Sequence, residues 1–257
     1  MTLLAIGDVC GEPGLRCCER HLRALRRDYG ADICVVNGEN ADVLGILPAQ
    51  ARRLTEAGAD FVTLGNHTCR KRQIIPYLDE EPRLLRPANY GEAMPGRGFA
   101  VTTLRGGKRL CVANLLGRLN CDWNTESPFA ALDRLIAAAG AELYAVDFHA
   151  EATSEKAALA YYADGRVCVL FGTHTHVQTS DERVLRGGLG FITDLGMCGA
   201  ADSVLGVEPE QSVAYFTGGP PSQYRCPSGQ AVIEGAVFTV DEASARCAAV
   251  ERIRLRV

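Results

Sequence analysis

The chain contains no Cys-x-x-Cys pair, although it has eleven cysteines. This absence excludes a zinc ribbon and a thioredoxin-type redox motif, because both need closely spaced cysteine pairs. Cys34, Cys111 and Cys168 lie inside apolar runs, so we expect them to pack as small core residues. The scattered cysteines favour reduced thiols and therefore a cytoplasmic protein.

Long apolar runs are missing as well. No stretch of the sequence approaches the ~18 uncharged apolar residues that cross a membrane. No basic-then-apolar leader precedes the first strand-like run, which begins directly after Met1. We therefore expect no membrane partner.

The sequence also lacks an excess of positive charge, since its formal net charge is −4 at pH 7. General binding to duplex DNA depends on neutralising phosphates, so this charge argues against it. A small phosphorylated ligand is not excluded, because a metal site supplies positive charge of its own. Internal repeats and low-complexity linkers are absent, so we expect residues 1–257 to form a single domain.

Strand-like and helix-like segments alternate along most of the chain. The alternation, followed by hairpins, predicts an α/β fold in which two sheets pack face to face with helices outside. The Gly- and Pro-rich segment 217–229 is predicted to be a loop, with a lid as one interpretation. The predicted strands are residues 3–6, 33–36, 61–64, 99–104, 109–113, 143–148, 167–171, 189–193, 231–240 and 248–257. The predicted helices are residues 13–28, 48–57, 71–78, 129–139 and 153–163.

Residues able to bind a metal follow five of the predicted strands. Each has an ordinary explanation when it is taken alone, such as a helix cap, a turn residue or a satisfied core histidine. The carboxyl ends of parallel strands line one edge of a sheet, so the five groups can converge on one crevice. The residues are Asp8, Glu39 with Asn40, Asn66 with His67, His149, and His174 with His176.

The last of these groups is the His-x-His pair in Gly172-Thr173-His174-Thr175-His176. Two histidines at this spacing project the same way if the chain stays extended. Neutral imidazole is the commonest protein metal ligand, although a core or surface pair explains the motif equally well by itself. The other four groups favour the metal site.

The ligand types indicate which metals the crevice suits. Carboxylate, amide oxygen and imidazole ligands together suit borderline metals such as Fe, Mn, Zn or Co. A bridging carboxylate holds two metals about 3.5–4 Å apart, the spacing that clamps attacking and leaving oxygens in phosphoryl transfer. Glu39 is the natural bridge, because it is the only carboxylate in the second group.

The order of these motifs resembles that of the calcineurin-like metallophosphoesterases, and more closely that of the YmdB-like branch of the superfamily. The matching stretches run along nearly the whole chain, and those at 147–156 and 172–179 are specific. They are Ile6-Gly7-Asp8-Val9-Cys10-Gly11, Asn37-Gly38-Glu39-Asn40-Ala41, Gly65-Asn66-His67-Thr68, Arg86-Pro87-Ala88-Asn89, Asn114-Leu115-Leu116-Gly117-Arg118, residues 147–156, residues 172–179 and Thr193-Asp194-Leu195-Gly196-Met197.

The resemblance implies a four-layer β-sandwich flanked by helices, with two metal ions. Iron is the first expectation for these ions, and manganese, zinc and magnesium are the alternatives. His67 is expected to face the substrate rather than a metal. The resemblance assigns Asp8, Glu39, Asn40 and His176 to one metal, and Glu39, Asn66, His149 and His174 to the other.

The resemblance also implies a phosphodiesterase that acts on a small phosphodiester, with 2′,3′- or 3′,5′-cyclic nucleotides as the substrate class. A hydroxide that bridges the two metals is expected to attack phosphorus, and His67 is expected to protonate the leaving alkoxide as general acid. A dinuclear amidohydrolase also uses a His-x-His pair, but there the pair ends the first strand of a barrel.

A more serious alternative is a non-catalytic protein that keeps the metal site and acts through regulatory or RNA-processing partners. RNA ends and a second copy of the chain also stay open as partners.

Departures from the family pattern lie beside the predicted crevice. Cys10 stands where most metallophosphoesterases have a histidine, either as a packed thiol or as a thiolate ligand. The YmdB-like branch lacks that histidine too, which is why Asn40 is assigned to the first metal. Cys69-Arg70 and residues 42–46 also differ from the branch, so substrate preference transfers less well than metal binding.

Overall fold

Apolar strands that alternate with helices build this computed structural model, which describes residues 1–120 and 124–257. The strands are β1 (Thr2–Ile6), β2 (Asp8–Val9), β3 (Ile33–Asn37), β4 (Phe61–Thr63), β5 (Leu84–Leu85), β6 (Phe99–Thr103), β7 (Arg109–Leu116), β8 (Leu143–His149), β9 (Val169–Thr173), β10 (Arg183–Val184), β11 (Gly190–Ile192), β12 (Met197–Ala200), β13 (Ala231–Asp241) and β14 (Arg246–Arg256). The helices are α1 (Gly11–Asp28), α2 (Pro48–Ala57), α3 (Ile74–Glu80), α4 (Pro128–Ala139), α5 (Thr153–Ala163) and α6 (Pro209–Phe216).

The larger sheet has the strand order β2-β12-β13-β1-β3-β4-β5, and β14 pairs with β13. The neighbours β1, β3, β4 and β5 run parallel, as expected for apolar strands that are joined by helical crossovers. β13 lies between β12 and β1 and runs antiparallel to both. The antiparallel hairpin of β13 and β14 closes the chain, as the sequence predicts.

The smaller sheet has the order β10-β11-β9-β8-β7-β6. Its central strands β7, β8, β9 and β11 run parallel, and β6 forms the predicted antiparallel hairpin with β7. The carboxyl ends of the two sheets meet. Asn37 at the end of β3 donates through Nδ2 to a carboxylate oxygen of Asp147 in β8 at 3.0 Å.

The two-residue period of the strands explains how the layers pack. In β1, Leu3 and Ala5 face the core between the sheets, whereas Leu4 and Ile6 face the core under α1 and α2. A third core lies between the smaller sheet and the helices α4 and α5. The structure therefore has four layers, helix-sheet-sheet-helix, and the predicted fold class is confirmed.

Some elements differ from the prediction. The third helix begins at Ile74 rather than at residue 71, and the short strands β2, β10 and β12 were not predicted. The helix α6 was not predicted either. It buries none of its residues, so it carries no amphipathic pattern that a sequence can reveal. All of segment 217–229 is described and contains no helix or strand, as predicted.

The thiols agree with the expectation from the sequence. Ten cysteines are free, and the eleventh, Cys121, lies outside the described residues. Cys34, Cys111 and Cys168 are buried in the cores. Among the helices of the described ranges, none combines the length and the apolar character that crossing a membrane requires.

Candidate metal centre

The eight residues predicted for the site come together where the carboxyl ends of the two sheets meet. They form a chain of contacts of 2.8–3.9 Å that links every member to another. The buried members are Asp8, Glu39, Asn40 and His149, and the partly buried members are Asn66, His67, His174 and His176.

The first half of the centre surrounds Nε2 of His149. Oε1 of Glu39 lies 2.9 Å from this nitrogen, Oδ1 of Asn66 lies 3.0 Å away, and Nδ1 of His174 lies 3.0 Å away. These are the four residues predicted for one metal. Glu39, His149 and His174 also form a group whose ligand atoms all lie within 4.8 Å of one another.

The second half of the centre surrounds Nε2 of His176. Nδ2 of Asn40 lies 3.1 Å from this nitrogen, and Oδ1 of Asp8 lies 3.7 Å away. Glu39 connects the halves, because its Oε1 also accepts a hydrogen bond from Nδ2 of Asn40 at 3.3 Å. This position agrees with the bridging role that the sequence suggests for Glu39.

The ring of His149 is oriented by a chain of buried hydrogen bonds. The hydroxyl of Thr173 donates to Asp147 at 2.7 Å, so its oxygen accepts from Nδ1 of His149 at 2.9 Å. Asp147 also accepts from Thr63 at 2.5 Å and from Asn37 at 3.0 Å. With its proton held on Nδ1, His149 turns the lone pair of Nε2 toward the centre.

His174 and His176 are oriented in the same way by different groups. Nε2 of His174 lies 3.1 Å from the carboxylate of Glu151, which leaves Nδ1 for the centre. Nδ1 of His176 donates to the carbonyl oxygen of Leu205 at 2.9 Å, which leaves Nε2 for the centre. Metal-binding histidines commonly carry this kind of outer hydrogen bond, because it fixes the tautomer.

The protonation of the histidines differs between the halves. Burial lowers the pKa of His149 to about 4, and burial together with the neighbouring His149 lowers the pKa of His174 to about 4. Burial opposes the charge on His176 as well. However, Cys10, Asp8 and the Leu205 carbonyl outweigh it and raise the pKa of His176 well above its ordinary value. A metal at Nε2 of His176 would therefore have to displace a proton.

The residues present fit a cation. A second imidazole nitrogen, a carboxylate oxygen and an amide oxygen each lie about 3 Å from Nε2 of His149. Ligands bound to one ion at about 2.0–2.2 Å are spaced in this way. Oδ1 of Asp8 is fully buried and has no hydrogen-bond partner, and burial raises the pKa of this carboxyl group. A cation compensates such a buried group.

Gly65 makes room for this packing. A β-carbon at position 65 would lie 2.3 Å from Oε2 of Glu39 and 2.4 Å from the ring of His149. Glycine is therefore the only residue that lets the carboxylate and the imidazole meet directly over the backbone. In the Gly-Asn-His motif, the glycine thus avoids a steric clash, and the asparagine and histidine provide polar groups.

The loop that carries the histidine pair is held from behind by a buried ion pair. The ammonium group of Lys156 lies 2.7 Å from Oδ2 of Asp194, and both side chains are almost completely buried. The same carboxylate oxygen accepts from the backbone N–H of Thr175 at 3.1 Å. Asp194 therefore fixes the residue between the two histidines.

The histidine pair is not extended, so the condition under which the two side chains would project the same way is not met. His174 has φ of 102° and His176 has φ of 63°, a conformation that residues other than glycine rarely adopt. The two imidazoles therefore reach different halves of the centre instead of projecting together. Because such backbone strain persists only where the surroundings impose it, the bonds to Asp8 and Asp194 are its evident cause.

The resemblance assigns Asn40 to a metal because Cys10 stands in place of a histidine. Asn40 turns Nδ2 toward His176, while its Oδ1 lies 2.8 Å from Nδ1 of His67. Cys10 is buried, and its thiol donates to the carbonyl oxygen of Asp8 at 3.4 Å. The Cys10 sulfur lies 3.5 Å from Nδ1 and 4.0 Å from Nε2 of His176, so it packs against the ring of this proposed ligand.

Sequence reasoning missed the groups that orient the ligands. Asp147, Glu151 and Lys156 all belong to the stretch 147–156, which was matched as a motif without roles for these side chains. Their polar character within a strand end and a helix start was the available signal. The carbonyl of Leu205 had no signal, because a backbone oxygen is the same at every position.

Two packed sheets between helices, with carboxylate, amide and imidazole groups where the strands end, define a metallophosphoesterase-type protein. The alternative of an amidohydrolase barrel is wrong, since the described strands form two open sheets. The chain belongs to the YmdB-like family: the family model described as YmdB-like protein matches residues 4–253. The predicted family is therefore confirmed.

Relatives and solved structures agree over the full length. A Bacillus subtilis (strain 168) protein named 2′,3′-cyclic-nucleotide 2′-phosphodiesterase is 40% identical, covering 98% of this chain and 96% of its own. The crystal structure of a hypothetical protein from Thermus thermophilus is 39% identical with a TM-score of 0.92, and the match covers 100% of this chain and 99% of the other. The structure of a novel phosphatase from Mycoplasma pneumoniae is 34% identical with a TM-score of 0.92, covering 100% and 93%. The name of the Bacillus subtilis protein agrees with the prediction of a phosphodiester-cleaving enzyme, and that of the Mycoplasma pneumoniae protein agrees with an enzyme that cleaves phosphate esters.

Proposed function

We propose that this protein is a metal-dependent phosphodiesterase that hydrolyses cyclic nucleotides, with the 2′,3′-cyclic phosphates as its main substrates. The observation that carries the proposal is the cluster of lone-pair atoms around Nε2 of His149. Such a cluster needs a cation, and it borders a cavity of about 410 Å³ that can admit a small ligand. The name of the Bacillus subtilis relative supports the substrate class.

The donor set suits two ions. Iron is the metal that we expect, and manganese, zinc and magnesium are the alternatives. When bound, two such ions supply a water of lowered pKa as nucleophile and neutralise the phosphate oxygens. The ligands proposed for one ion are Asp8, Glu39, Asn40 and His176, and those for the other are Glu39, Asn66, His149 and His174. Only the amide oxygen of Asn40 can bind a cation, so this proposal requires Oδ1 rather than Nδ2 of Asn40 to face the ion.

The hydrolysis of a 2′,3′-cyclic phosphate breaks one bond and forms one. The oxygen of water bonds to phosphorus, the bond between phosphorus and the ribose 2′-oxygen breaks, and the 2′-oxygen takes up a proton. The product is a nucleoside 3′-phosphate. The chain must therefore provide a proton donor for an alkoxide beside the phosphate.

His67 is the residue that we assign to this proton transfer. It lines the cavity, and its backbone N–H donates to Oε2 of Glu39 at 3.0 Å. Its Nδ1 bonds to Oδ1 of Asn40, so Nε2 is the nitrogen left for substrate. Burial lowers the pKa of His67, and Glu39 opposes that shift. An anionic phosphate in the cavity favours the protonated ring further, because opposite charges attract.

The test compares two substrates whose leaving groups differ in their need for a proton. His67→Ala is expected to lower the turnover of 2′,3′-cyclic AMP by about 10²–10⁴-fold, the usual contribution of general acid catalysis. The turnover of bis-p-nitrophenyl phosphate should fall by a smaller factor, because p-nitrophenolate leaves readily without protonation. Both rates are measured on metal-loaded protein, together with the metal content.

Two controls complete the test. His21→Ala changes the one histidine outside the centre and should leave both rates unchanged. His149→Ala should lower the metal content, whereas His67→Ala should not. Full activity of the His67→Ala protein on 2′,3′-cyclic AMP would remove this residue from the mechanism.

The non-catalytic alternative predicts a different result. If metal-loaded wild-type protein turns over neither substrate, a metal-binding role with regulatory or RNA-processing partners becomes the better account. The cellular location that we propose is the cytoplasm, where the free thiols of the described cysteines would stay reduced.

A further inference from the structure

The cavity beside the metal centre has a second wall of a very different kind. Its centre side is lined by polar groups that include Glu39, His67 and His174. The remaining lining includes apolar and aromatic residues from four separate stretches of the chain, which we call the apolar wall. The residues of this apolar wall are Val43, Leu44, Val204, Leu205, Phe216 and Tyr224.

The side chains of the apolar wall have no role in the core. Phe216 is 81% exposed, Leu205 is 48% exposed and Tyr224 is 43% exposed. The helix α6, which ends at Phe216, buries none of its residues. Large aromatic side chains left in water forgo the stabilisation of burial, so a cluster of them indicates a surface that binds something apolar.

Polar bonds rather than packing hold this wall in place. Gln211 of α6 donates to the hydroxyl of Ser222 at 2.9 Å and to the carbonyl oxygen of Gln223 at 2.7 Å, and accepts from the backbone N–H of Arg225 at 2.8 Å. These bonds tie α6 to the strand-free segment that carries Tyr224. The wall is thus positioned while its apolar side chains stay available.

The apolar wall is also fixed relative to the metal centre. The carbonyl oxygen of Leu205 accepts the hydrogen bond from Nδ1 of His176 at 2.9 Å. Leu205 has φ of 54°, an uncommon conformation that directs this carbonyl inward while its side chain lines the cavity. One residue therefore orients a proposed metal ligand and forms part of the apolar wall.

We propose that the apolar wall binds the nucleobase of the substrate, with Phe216 and Tyr224 as the aromatic surfaces, while the cyclic phosphate lies at the metal centre. This inference rests on the function proposed above and adds to it the means of recognising a nucleoside. In a cyclic nucleotide a single ribose joins the phosphate to an apolar, uncharged ring. The cavity likewise joins the polar and apolar walls in one continuous space.

The chemistry of the wall further predicts low selectivity among bases. Aromatic side chains stack on any base, because every base has a π face. The apolar wall offers few hydrogen-bonding groups beyond the hydroxyl of Tyr224 and that of the neighbouring Ser212. We therefore expect the four 2′,3′-cyclic nucleotides to be hydrolysed with similar efficiency, within about tenfold.

The experiment compares a substrate with a base and one without. Phe216→Ala, Tyr224→Ala and the double variant are assayed as metal-loaded full chains on 2′,3′-cyclic AMP and on ribose 2′,3′-cyclic phosphate. Loss of one stacking contact should lower kcat/KM for 2′,3′-cyclic AMP by about 10–100-fold, mainly through KM. For ribose 2′,3′-cyclic phosphate we expect a change below about twofold, since that substrate has no base to stack.

A binding measurement provides a readout that does not depend on turnover. Isothermal titration with adenosine 3′-phosphate and with ribose 3-phosphate should show a preference for the nucleotide that the double variant loses. Tyr161→Ala is the matched control, because Tyr161 is 64% exposed on α5 outside the cavity. That variant should behave as wild type in both assays.

Each outcome is decisive. If the variants lower kcat/KM by the same factor for both substrates, or for neither of them, the apolar wall does not hold the base. If they change the oligomeric state in light scattering and leave the ratio between the substrates unchanged, the wall is an interface between two copies, which overturns the proposal. If wild-type protein hydrolyses neither substrate, the proposed function fails, and the titration still decides whether the wall binds a nucleoside.

Discussion

The two walls of the cavity are built by opposite means. The wall at the metal centre, here the metal wall, consists of buried and partly buried polar groups that follow strands of the two sheets. His149, His174 and His176 each have an outer hydrogen bond. The apolar wall consists of side chains on α6 and loops, and its part that carries Phe216 and Tyr224 is held by polar bonds within residues 208–225.

This difference shows how the fold positions metal ligands more accurately than a stacking surface. Metal ligands must be placed within fractions of an ångström, so they are set on strands and bonded from behind. A stacking surface tolerates small shifts, because its attraction is non-directional. The protein therefore places buried charge behind one wall and leaves the other wall accessible.

The largest difference between the walls is expected for their ion pairs. Behind the metal wall, Lys156 and Asp194 are almost completely buried. Next to the apolar wall, Arg225 is 69% exposed and pairs with Glu208 at 3.0 Å. Lys156→Met should lower the free energy of unfolding by about 3–5 kcal/mol, because it leaves a buried carboxylate without its partner. Arg225→Met should lower it by only about 0–1 kcal/mol.

Urea denaturation of the two variants measures this difference. If the two variants lose the same free energy of unfolding, the metal wall is not stabilised by its buried ion pair. The double variant Lys156→Met with Asp194→Leu should recover much of the stability, since it removes both charges together. It should not recover the position of the His-x-His loop, because the bond to the N–H of Thr175 is lost as well.

A smaller effect is expected from the outer hydrogen bonds of the metal wall. Glu151→Ala removes the carboxylate that lies 3.1 Å from Nε2 of His174. The affinity for Mn²⁺ should fall by about tenfold, the lower end of what such outer partners contribute, because Glu151 is half exposed. Calorimetric titration with Mn²⁺ at one pH measures the change.

The matched control for this prediction lies in α6, outside the cavity. Glu210→Ala removes an exposed carboxylate of this helix and should leave the Mn²⁺ affinity unchanged. Glu151→Gln should bind Mn²⁺ better than Glu151→Ala, since an amide oxygen still accepts from His174. If Glu151→Ala binds like wild type, the ring of His174 is fixed by something else.

The smallest effect provides a baseline outside both walls. Arg53 bonds to Glu12 and Glu19 on the outer face of α1, and the bond to Arg53 lowers the pKa of Glu12 to about 2. A carboxyl group with a lowered pKa stabilises the fold above its unfolded pKa of about 4.3 and loses this contribution as the pH falls toward 2. Arg53→Met should therefore cost up to about 1 kcal/mol at pH 7, given the exposure of Glu12.

Urea denaturation at pH 7 and at pH 3 checks this baseline. The difference between Arg53→Met and wild type should shrink at pH 3, because Glu12 takes up a proton in the unfolded chain below about pH 4.3 while it stays ionised in the fold until nearer pH 2. A difference that is the same at both pH values would contradict an electrostatic origin. The baseline matters because the effect of Lys156→Met must clearly exceed it.

Much of the fold could be predicted from the sequence, because the strands are buried apolar runs and proline or glycine residues mark the ends of helices. The helices at 48–57 and 153–163 agree with the structure in both bounds, since Pro48 begins one of them and Gly58 follows it. The helix α6 could not be predicted, because a helix that buries nothing has no apolar period. The short strand β12 was missed because its four residues gain their conformation from pairing with β2 and β13.

For the candidate site, the sequence predicted which residues take part but not all of their arrangement. The ligand residues were found because carboxylates and imidazoles recurred at strand ends, and Glu39 stood alone as a carboxylate in its group. Their grouping around two histidine nitrogens was given by the family resemblance and not by spacing. The positive φ values of His174 and His176 were not predicted, since no local signal marks a positive φ at histidine.

By itself, the sequence determined the layered α/β fold, the set of side chains able to bind metal and the strand ends that carry them. These depend on local patterns, because burial and the strand period are written in neighbouring residues. Only the tertiary structure decided which nitrogen of each imidazole faces the centre and that an apolar wall stands opposite it. Those features depend on contacts between distant residues, such as the carbonyl of Leu205 with His176, which no local pattern encodes.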